Sequence, residues 1–300
     1  MSENQQRCGF VAVIGAPNAG KSTLVNALVG QKVAIVSAKE QTTRSRLMGI
    51  AIADGSQILL VDTPGIFAPR RRLDRAMVAA AWTGAADADL TVLVVDASVR
   101  ISDRLEGILE ALEGRSEPLI VVLNKIDLMK KEELLGLAAK LSERLDPQHL
   151  FMLSAAKGEG VADLKRVLAK SVPEGPWHFP DDQLSDATDR MVAAELTREQ
   201  IYNQLRAELP YASAVETEKW EDRSDGSTAI HQQIFVERDS QKAIVIGKGG
   251  SRLKAIGEAA RAEIAEHLGR RVHLYLHVKV NPKWDEDRGL YREIGLEWAD

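Results

Sequence analysis

The sequence predicts a doubly wound α/β domain with a mostly parallel sheet, followed by a smaller α+β domain. Three observations lead there. Up to about residue 172, apolar β-branched runs alternate with helical patterns, as in a parallel sheet covered by helices. Val172-Pro-Glu-Gly-Pro-Trp-His-Phe-Pro180 then carries prolines that prevent a helix and favour extended chain, which marks a linker. Beyond it the pattern reads α-β-β-α-α-β. The expected boundaries are 1–172 for the first domain, 173–183 for the linker and 184–300 for the second domain with its tail.

Taken in order, Phe10 to Ile14 reads as a strand and Lys21 to Val29 as a helix. Gln57 to Val61, Leu90 to Val95 and Leu119 to Leu123 follow as strands, with helical segments between them. The last two are apolar apart from Thr91, as parallel strands buried on both faces should be. Leu150 to Leu153 is a final strand and Gly160 to Leu168 a final helix. In the second domain, Ala187 to Leu209 is a helix with acid and base mixed on its surface. Ala212 to Trp220 and Ala229 to Val236 alternate as strands, joined through the turn signal Ser224-Asp-Gly-Ser227. Gln241 to Ile246 is a short helix broken at Gly247, Ser251 to His267 a longer one, and Val272 to Val280 the last strand. The tail, Trp284 to Asp300, is acidic and partly helical in pattern.

The bulk numbers bound the function class. Hydrophobic residues are 45% and charged residues 28% of 300, the balance of a globular protein of about two domains. The apolar runs are too short to span a bilayer, and Met1 to Arg7 lacks the apolar core of a secretory signal. A cytoplasmic location is expected. Cys8 is the single cysteine, so no internal disulfide forms, and an inert thiol is expected. The net charge is −5, so any nucleic-acid contact must rest on positive charge concentrated locally.

The chemistry is carried by motifs at strand ends. Gly15, Ala16, Pro17, Asn18, Ala19, Gly20, Lys21 and Ser22 fit G-x-x-x-x-G-K-[ST] between a strand and a helix that continues with Thr23. The loop amides and the helix N-terminus favour an anion, Lys21 can reach β- and γ-phosphates, and the Ser22 hydroxyl can ligate Mg²⁺. Asp62, Thr63, Pro64 and Gly65 follow a strand, where the aspartate can hold the metal and the Gly65 N–H can sense a γ-phosphate. Asn124, Lys125 and Asp127 follow another. Asp127 accepts only, which suits the N1–H and exocyclic amine of guanine, whereas adenine would leave it unpaired. Lys125 can lie along the purine, and Asn124 can brace neighbouring loops. Ser154, Ala155 and Ala156 open the segment after the last strand, and the Ala155 N–H is expected to meet the guanine O6. Between the first two motifs lies Gln41-Thr-Thr-Arg-Ser-Arg46, where a threonine can close over Mg²⁺ and the γ-phosphate. Thr43 is the expected one, with Thr42 as the alternate. Arg70-Arg-Arg72 lies in the expected second switch after Gly65, where a solvated loop and an RNA or partner contact are both open readings.

The phosphate loop with Pro17 and Asn18, the Thr42-Thr43-Arg44 triplet, Asp62-Thr-Pro-Gly65 and Asn124-Lys-Ile-Asp127 resemble the Era GTPases, within the wider TrmE–Era group. The resemblance runs over nearly the whole chain, with one GTPase domain where EngA-type relatives carry two. It implies a P-loop GTPase domain followed by a type II KH domain, GTP hydrolysis to GDP with Mg²⁺, and binding near the 3′ end of small-subunit (16S-type) ribosomal RNA in the maturation of that subunit. Peripheral contact with the cytoplasmic face of the membrane is also implied, and a monomer is expected. Lys21, Asn18, Thr43 and Gly65 are the residues expected to support hydrolysis. Ile66 stands where Ras-like enzymes carry a water-orienting glutamine, so water must be oriented by other means. In some relatives the asparagine matching Asn18 helps hold a potassium ion, and the resemblance extends K⁺ to this chain as an expectation. Slow turnover is expected without a partner, since intrinsic Ras hydrolysis is on the order of 10⁻⁴ s⁻¹.

Gly247, Lys248, Gly249 and Gly250 form a G-x-x-G loop between two helices, which in α-β-β-α-α-β order resembles the KH loop that clamps about four nucleotides of single-stranded backbone. Lys248, Arg252 and Lys254 supply charge around it. Ile244, Ile246 and Ile256 are either a floor for bases or plain core. Between Ser240 and Pro282 there are eight basic and three acidic residues, against the grain of the whole chain. The sequence leaves two rival readings open: a signalling GTPase whose second domain binds protein, and an RNA-binding module with a vestigial nucleotide site.

Overall fold

The computed structural model describes residues 6–37, 39, 42–44, 47–67, 69, 71–114, 117–206, 209–293, 296 and 298. The chain forms two compact units. The first takes in Met1–Ala34 and Thr43–Asp186, the second Ile35–Thr42 and Ala187–Trp298.

The first unit is a six-stranded sheet of β1 (Arg7–Ile14), β2 (Leu47–Ala53), β3 (Ser56–Asp62), β4 (Leu90–Asp96), β5 (Leu119–Asn124) and β6 (His149–Met152) in the order β2-β3-β1-β4-β5-β6. Every residue of β3 and of β5 is buried, which is why the stretches Ile58–Val61 and Leu119–Leu123 within them read as apolar runs without alternation. One face is covered by α1 (Lys21–Val29) and α5 (Val161–Ser171), the other by α2 (Arg72–Ala86), α3 (Asp103–Leu112) and α4 (Lys131–Leu145). The pairings of β1 with β3 and β4, of β4 with β5 and of β5 with β6 are parallel. The chain leaves β1 toward β3 on one side and returns to β4 on the other, so the crevice at the carboxyl ends of these strands is the fold's natural ligand position.

β2 is the strand that the sequence pattern does not show. It runs antiparallel to β3 at the sheet edge, Leu47 opposite Asp62 through Ala53 opposite Ser56. Its apolar residues do not alternate, which hides it. The Asp54-Gly55 turn is the available signal: both residues have positive φ, 49° and 77°, as a two-residue type I′ hairpin requires.

Residues of the expected linker pack on this sheet. Cys8 N–H donates to Pro173 O at 3.0 Å. The fully buried Gln57 accepts from His178 N–H at 2.9 Å and Phe179 N–H at 3.1 Å, and donates to Phe179 O at 2.8 Å. Trp177 and Phe179 cover Cys8, Ile50 and Leu59. A buried amide in mid-strand would be costly without partners, and the strap supplies them.

The second unit places α6 (Asp189–Gln204), α7 (Asp239–Ile246) and α8 (Ser251–Leu268) with the sheet β7 (Ser213–Asp222), β8 (Thr228–Val236) and β9 (Val272–Val280). β7 and β8 are antiparallel, β8 and β9 parallel. The α-β-β-α-α-β order is as expected. α6 ends at Gln204, short of the expected Leu209, because Leu205 turns to extended backbone ahead of Pro210. Thr188 caps its start by accepting from Met191 N–H at 3.3 Å. Thr197 donates to Gln232 at 2.6 Å and Gln232 to Thr217 at 3.2 Å, a buried polar chain linking α6, β8 and β7. Residues 35–42 belong to this unit through Ile35 in its apolar core, Val36 N–H on the Glu199 carboxylate at 3.0 Å and the Arg198 guanidinium on Thr42 O. The tail forms α9 (Arg288–Glu293), with Trp284 and Tyr291 buried.

Candidate functional site

The expected motif residues converge at the carboxyl end of the first sheet. β1 delivers the loop 15–20, and α1 begins at Lys21 with no side-chain cap on its N-terminal amides. Uncapped N-terminal amides with the helix dipole behind them favour an anion. Gly20 has φ +93°, and a Cβ there would stand 2.2 Å from Asn124 Nδ2, so only glycine fits. Asn18 is exposed with φ +62°. Lys21 is buried, and its ammonium donates to Gly15 O at 3.2 Å and Ala16 O at 3.0 Å. Ala19 is buried beneath the loop, and Thr23 is half-buried in the first turn of α1.

Ser22, Thr43 and Asp62 meet in one cluster. Ser22 Oγ donates to Asp62 Oδ2 at 2.7 Å and lies 2.9 Å from Thr43 Oγ1, which is itself 3.3 Å from Asp62 Oδ2. Thr42, the alternate, points elsewhere: its hydroxyl donates to Lys39 O at 2.8 Å. Gln41, Ser45 and Arg46 of that segment lie outside the described residues. Asp62 is fully buried, and among the described residues its Oδ1 has no hydrogen-bond partner. Burial pushes the Asp62 carboxyl up to about 6 and the Lys21 ammonium down to about 8, each partly offset by the other's charge. An orphaned buried carboxylate oxygen beside two hydroxyls is an all-oxygen donor set, which suits a hard divalent cation such as Mg²⁺.

Thr63 donates to Val13 O at 2.9 Å, locking the strand end that carries Asp62. Beyond Pro64, Gly65 lies against the phosphate loop: a Cβ on it would stand 2.9 Å from Pro17 Cα, and Ile66 N–H donates to Gly15 O at 3.2 Å. Ile66 is buried in the apolar core, which accounts for a residue with no polar role. Arg70 lies outside the described residues. Arg71 caps α2, its N–H donating to Asp74 at 3.0 Å.

At the other end of the crevice, Asn124 donates to Ala19 O at 2.9 Å and accepts from Ala155 N–H at 3.0 Å. It therefore braces two loops. The Ala155 N–H is directed to Asn124 Oδ1, so a guanine O6 would share or displace that bond. The neighbouring Ser154 is fully buried, while Ala156 is exposed. Asp127 sits in a single 3-10 turn with Lys157 Nζ at 3.6 Å, and the Ser154 hydroxyl and Lys157 hold its carboxyl below the usual range. Lys125 has φ +65° and pairs with Asp96 at 2.6 Å. Asp96 is a site residue that the motif reading misses, although an aspartate closing an apolar strand, as Asp62 does, is a readable sign.

In the second unit Gly247, Lys248, Gly249 and Gly250 bridge α7 and α8. Arg252 donates to Ile244 O at 3.2 Å, and Lys254 is exposed, 3.8 Å from Glu258. Ile244 is 48% exposed beside the loop, whereas Ile256 is fully buried. Ile256 is thus core and not a floor for bases, because the α8 position it occupies faces the sheet.

Comparison with known proteins follows the same division. Residues 10–125 match the family model described as 50S ribosome-binding GTPase, and residues 208–285 the KH domain model. GTPase Era of Erythrobacter litoralis is 58% identical over 303 residues, covering 100% of both chains. GTPase Era of Bradyrhizobium sp. is 57% identical over 292 residues, covering 97% of this chain and 95% of its own. Among solved structures, a point variant of Era from Aquifex aeolicus bound to GDP and AlF4⁻ has a TM-score of 0.91 at 37% identity, covering 96% of this chain and 99% of that one. Era in complex with MgGDPNP and nucleotides 1506–1542 of 16S ribosomal RNA has a TM-score of 0.91 at 36% identity, covering 97% and 99%. With the phosphate loop, the buried Asp62 cluster and the G-x-x-G unit all on one chain, this protein belongs to the Era family of GTPases.

Proposed function

We propose that the chain is a GTP-switched RNA-binding factor that holds single-stranded small-subunit ribosomal RNA at the Gly247–Gly250 loop and assists assembly of that subunit. The observation that supports it most is the convergence of Ser22, Thr43 and Asp62 beside an intact phosphate loop, in a chain that also carries a KH unit. It disfavours a vestigial nucleotide site. The Era relative solved with MgGDPNP and a 16S segment supports the ligand classes.

Mg²⁺ would be held by Ser22, Thr43 and Asp62, and when bound it neutralises charge on the β- and γ-phosphates. The chain's own groups do the rest. Lys21 exchanges two carbonyls for phosphate oxygens, and the uncapped α1 amides orient them. Thr43 and Gly65 lie on the two segments that would tighten on a γ-phosphate and relax without it. Asp127 and Lys125 select and cover the base.

The pH dependence follows from burial. With its folded pKa raised to about 6, Asp62 makes the nucleotide-free protein most stable when protonated, a contribution lost as pH rises through 6. With its folded pKa lowered to about 8, Lys21 contributes stability at high pH that is lost as pH falls through 8. Metal binding needs the carboxylate, so MgGDP affinity should fall roughly tenfold per unit below about pH 6. Calorimetry across that range, in buffers of different ionisation enthalpy, should also register proton release near pH 6. An affinity flat across that range would contradict the metal role of Asp62.

Potassium is tested through Asn18. Turnover in K⁺ should exceed that in Na⁺ for the native chain and not for Asn18→Ala; equal rates in the native chain contradict a potassium site.

For RNA, Gly249→Asp is the informative change: no atom lies within 4 Å of the position a Cβ would take, and the left-handed φ of +60° adds backbone strain confined to the loop, so a thermal melt of the variant accompanies the binding measurement. Filter binding with short single-stranded RNA should be salt-dependent and fall at least tenfold in this variant. Undiminished binding would favour a protein-docking role for the KH unit.

A further inference from the structure

The open face of the second sheet carries a feature that the G-x-x-G loop does not use. Along β9, Leu274, Leu276, Val278 and Val280 pack against the cores beneath the helices. Tyr275, His277 and Lys279 alternate with them and are exposed, so they line the opposite face. In the register of β8 and β9, His231 is opposite Tyr275 and Phe235 opposite Lys279. The His231 and Tyr275 rings stack, with centroids 4.6 Å apart and planes 19° apart. Lys279 Nζ lies 5.9 Å from the Phe235 ring centroid. Tyr275 is 42% exposed, and β9 is the sheet's edge strand, so among the described residues no further strand covers the far side of its ring.

Charge divides across this face. From Arg271 to Val280 the chain has no acidic residue and carries Arg271, Lys279 and two imidazoles. β7, at the opposite edge, carries Glu216, Glu218, Glu221 and Asp222 against one cation, Lys219, which lies opposite His231 and is paired with Glu221 at 2.6 Å. An anionic ligand is therefore drawn to the β9 edge and kept off β7. Exposed rings that can each accept a base, next to a cation spaced about 13 Å along the same strand, are the features of a single-stranded nucleic-acid platform.

We propose that the β8–β9 face is a second RNA-contact surface, on which single-stranded RNA running beyond the Gly247–Gly250 loop stacks a base on Tyr275 and sets backbone phosphate near Lys279. This rests on the RNA reading above and adds to it a second subsite. The base extends the His231–Tyr275 stack at the sheet edge. Discrimination between bases is weak, because every base has a stacking face.

The test is a length series of single-stranded RNA, about 5 and about 14 nucleotides, titrated against the full chain and its Tyr275→Ala, Tyr275→Phe and Lys279→Glu variants. The short oligomer, filling only the loop's groove, should bind all four alike. The long one should lose about tenfold with Tyr275→Ala and with Lys279→Glu, and keep its affinity with Tyr275→Phe. Ultraviolet crosslinking of the long oligomer, substituted with 4-thiouridine, should label the peptide spanning β9. Unchanged long-oligomer affinity in Tyr275→Ala, equal loss for both lengths, or crosslinks confined to α7, α8 and their loop would overturn the proposal. A protein ligand for this face would show as a variant-sensitive pull-down with RNA affinity unchanged at both lengths, which also overturns it. Failure of the native chain to bind either oligomer would instead sink the RNA reading as a whole.

Discussion

A Lys21→Met chain is expected to fold and to lose GTP turnover by about 10²–10³-fold, the effect of removing one preorganised charge from a phosphoryl-transfer site. Methionine keeps the length of the buried stem and removes only the ammonium. That ammonium is held at a cost in the nucleotide-free site: burial drives its pKa down to about 8, and its hydrogen-bond partners are the carbonyls of Gly15 and Ala16. The melting temperature without nucleotide should stay within a few degrees of the native value. The stabilisation that saturating MgGDP gives the native chain should vanish. Single-turnover hydrolysis and thermal melts with and without nucleotide measure both. Turnover preserved in the variant would remove Lys21 from the chemistry.

The second large effect concerns the base. Asp127→Asn should weaken GTP binding by on the order of 10²-fold and improve binding of xanthosine triphosphate. In guanine the N1–H and exocyclic amine are both donors, matched to an acceptor-only carboxylate. Asparagine opposes one of those donors with its own N–H. Xanthine replaces the amine by a carbonyl, which the asparagine amide can meet while its oxygen still accepts from N1–H. Ser154 and Lys157, which hold the Asp127 carboxyl in its charged form, should then matter less. Competition binding with GTP, ATP and XTP measures the exchange. Unaltered guanine preference in Asp127→Asn would move the base-reading role elsewhere.

Much of the nucleotide site is legible in the order of residues alone. Gly15, Asp62 and Asn124 stand where buried apolar runs stop, and a doubly wound sheet brings those strand ends together. The residues around which the chain must close, by contrast, are hidden. β2 has no alternation to mark it, and only its Asp54-Gly55 turn betrays the hairpin. Asp96 is tied to Lys125 only through the pairing of β4 with β5. Thr43 and Thr42 are adjacent and alike in sequence, and it is the geometry around Ser22 that gives the choice of Thr43 a physical basis. The isoleucines of the KH unit cannot be sorted by periodicity alone, because α7 and α8 each carry one apolar face and the loop between them decides which residues stay outside. Here Ile244 is exposed and Ile256 buried. The strap of 173–183 on Gln57 is invisible in the pattern because its partners are backbone groups, which leave no mark in the side chains.

The most direct check is isothermal titration of the intact chain with GDP and with a non-hydrolysable GTP analogue, each with and without Mg²⁺. One nucleotide per chain should bind, with the analogue strengthened by Mg²⁺ and the metal's contribution abolished in Asp62→Ala. A well-folded chain that takes up neither nucleotide in the presence of Mg²⁺ would contradict the assignment of the Gly15–Ser22 loop and the Ser22–Thr43–Asp62 cluster as a guanine-nucleotide site.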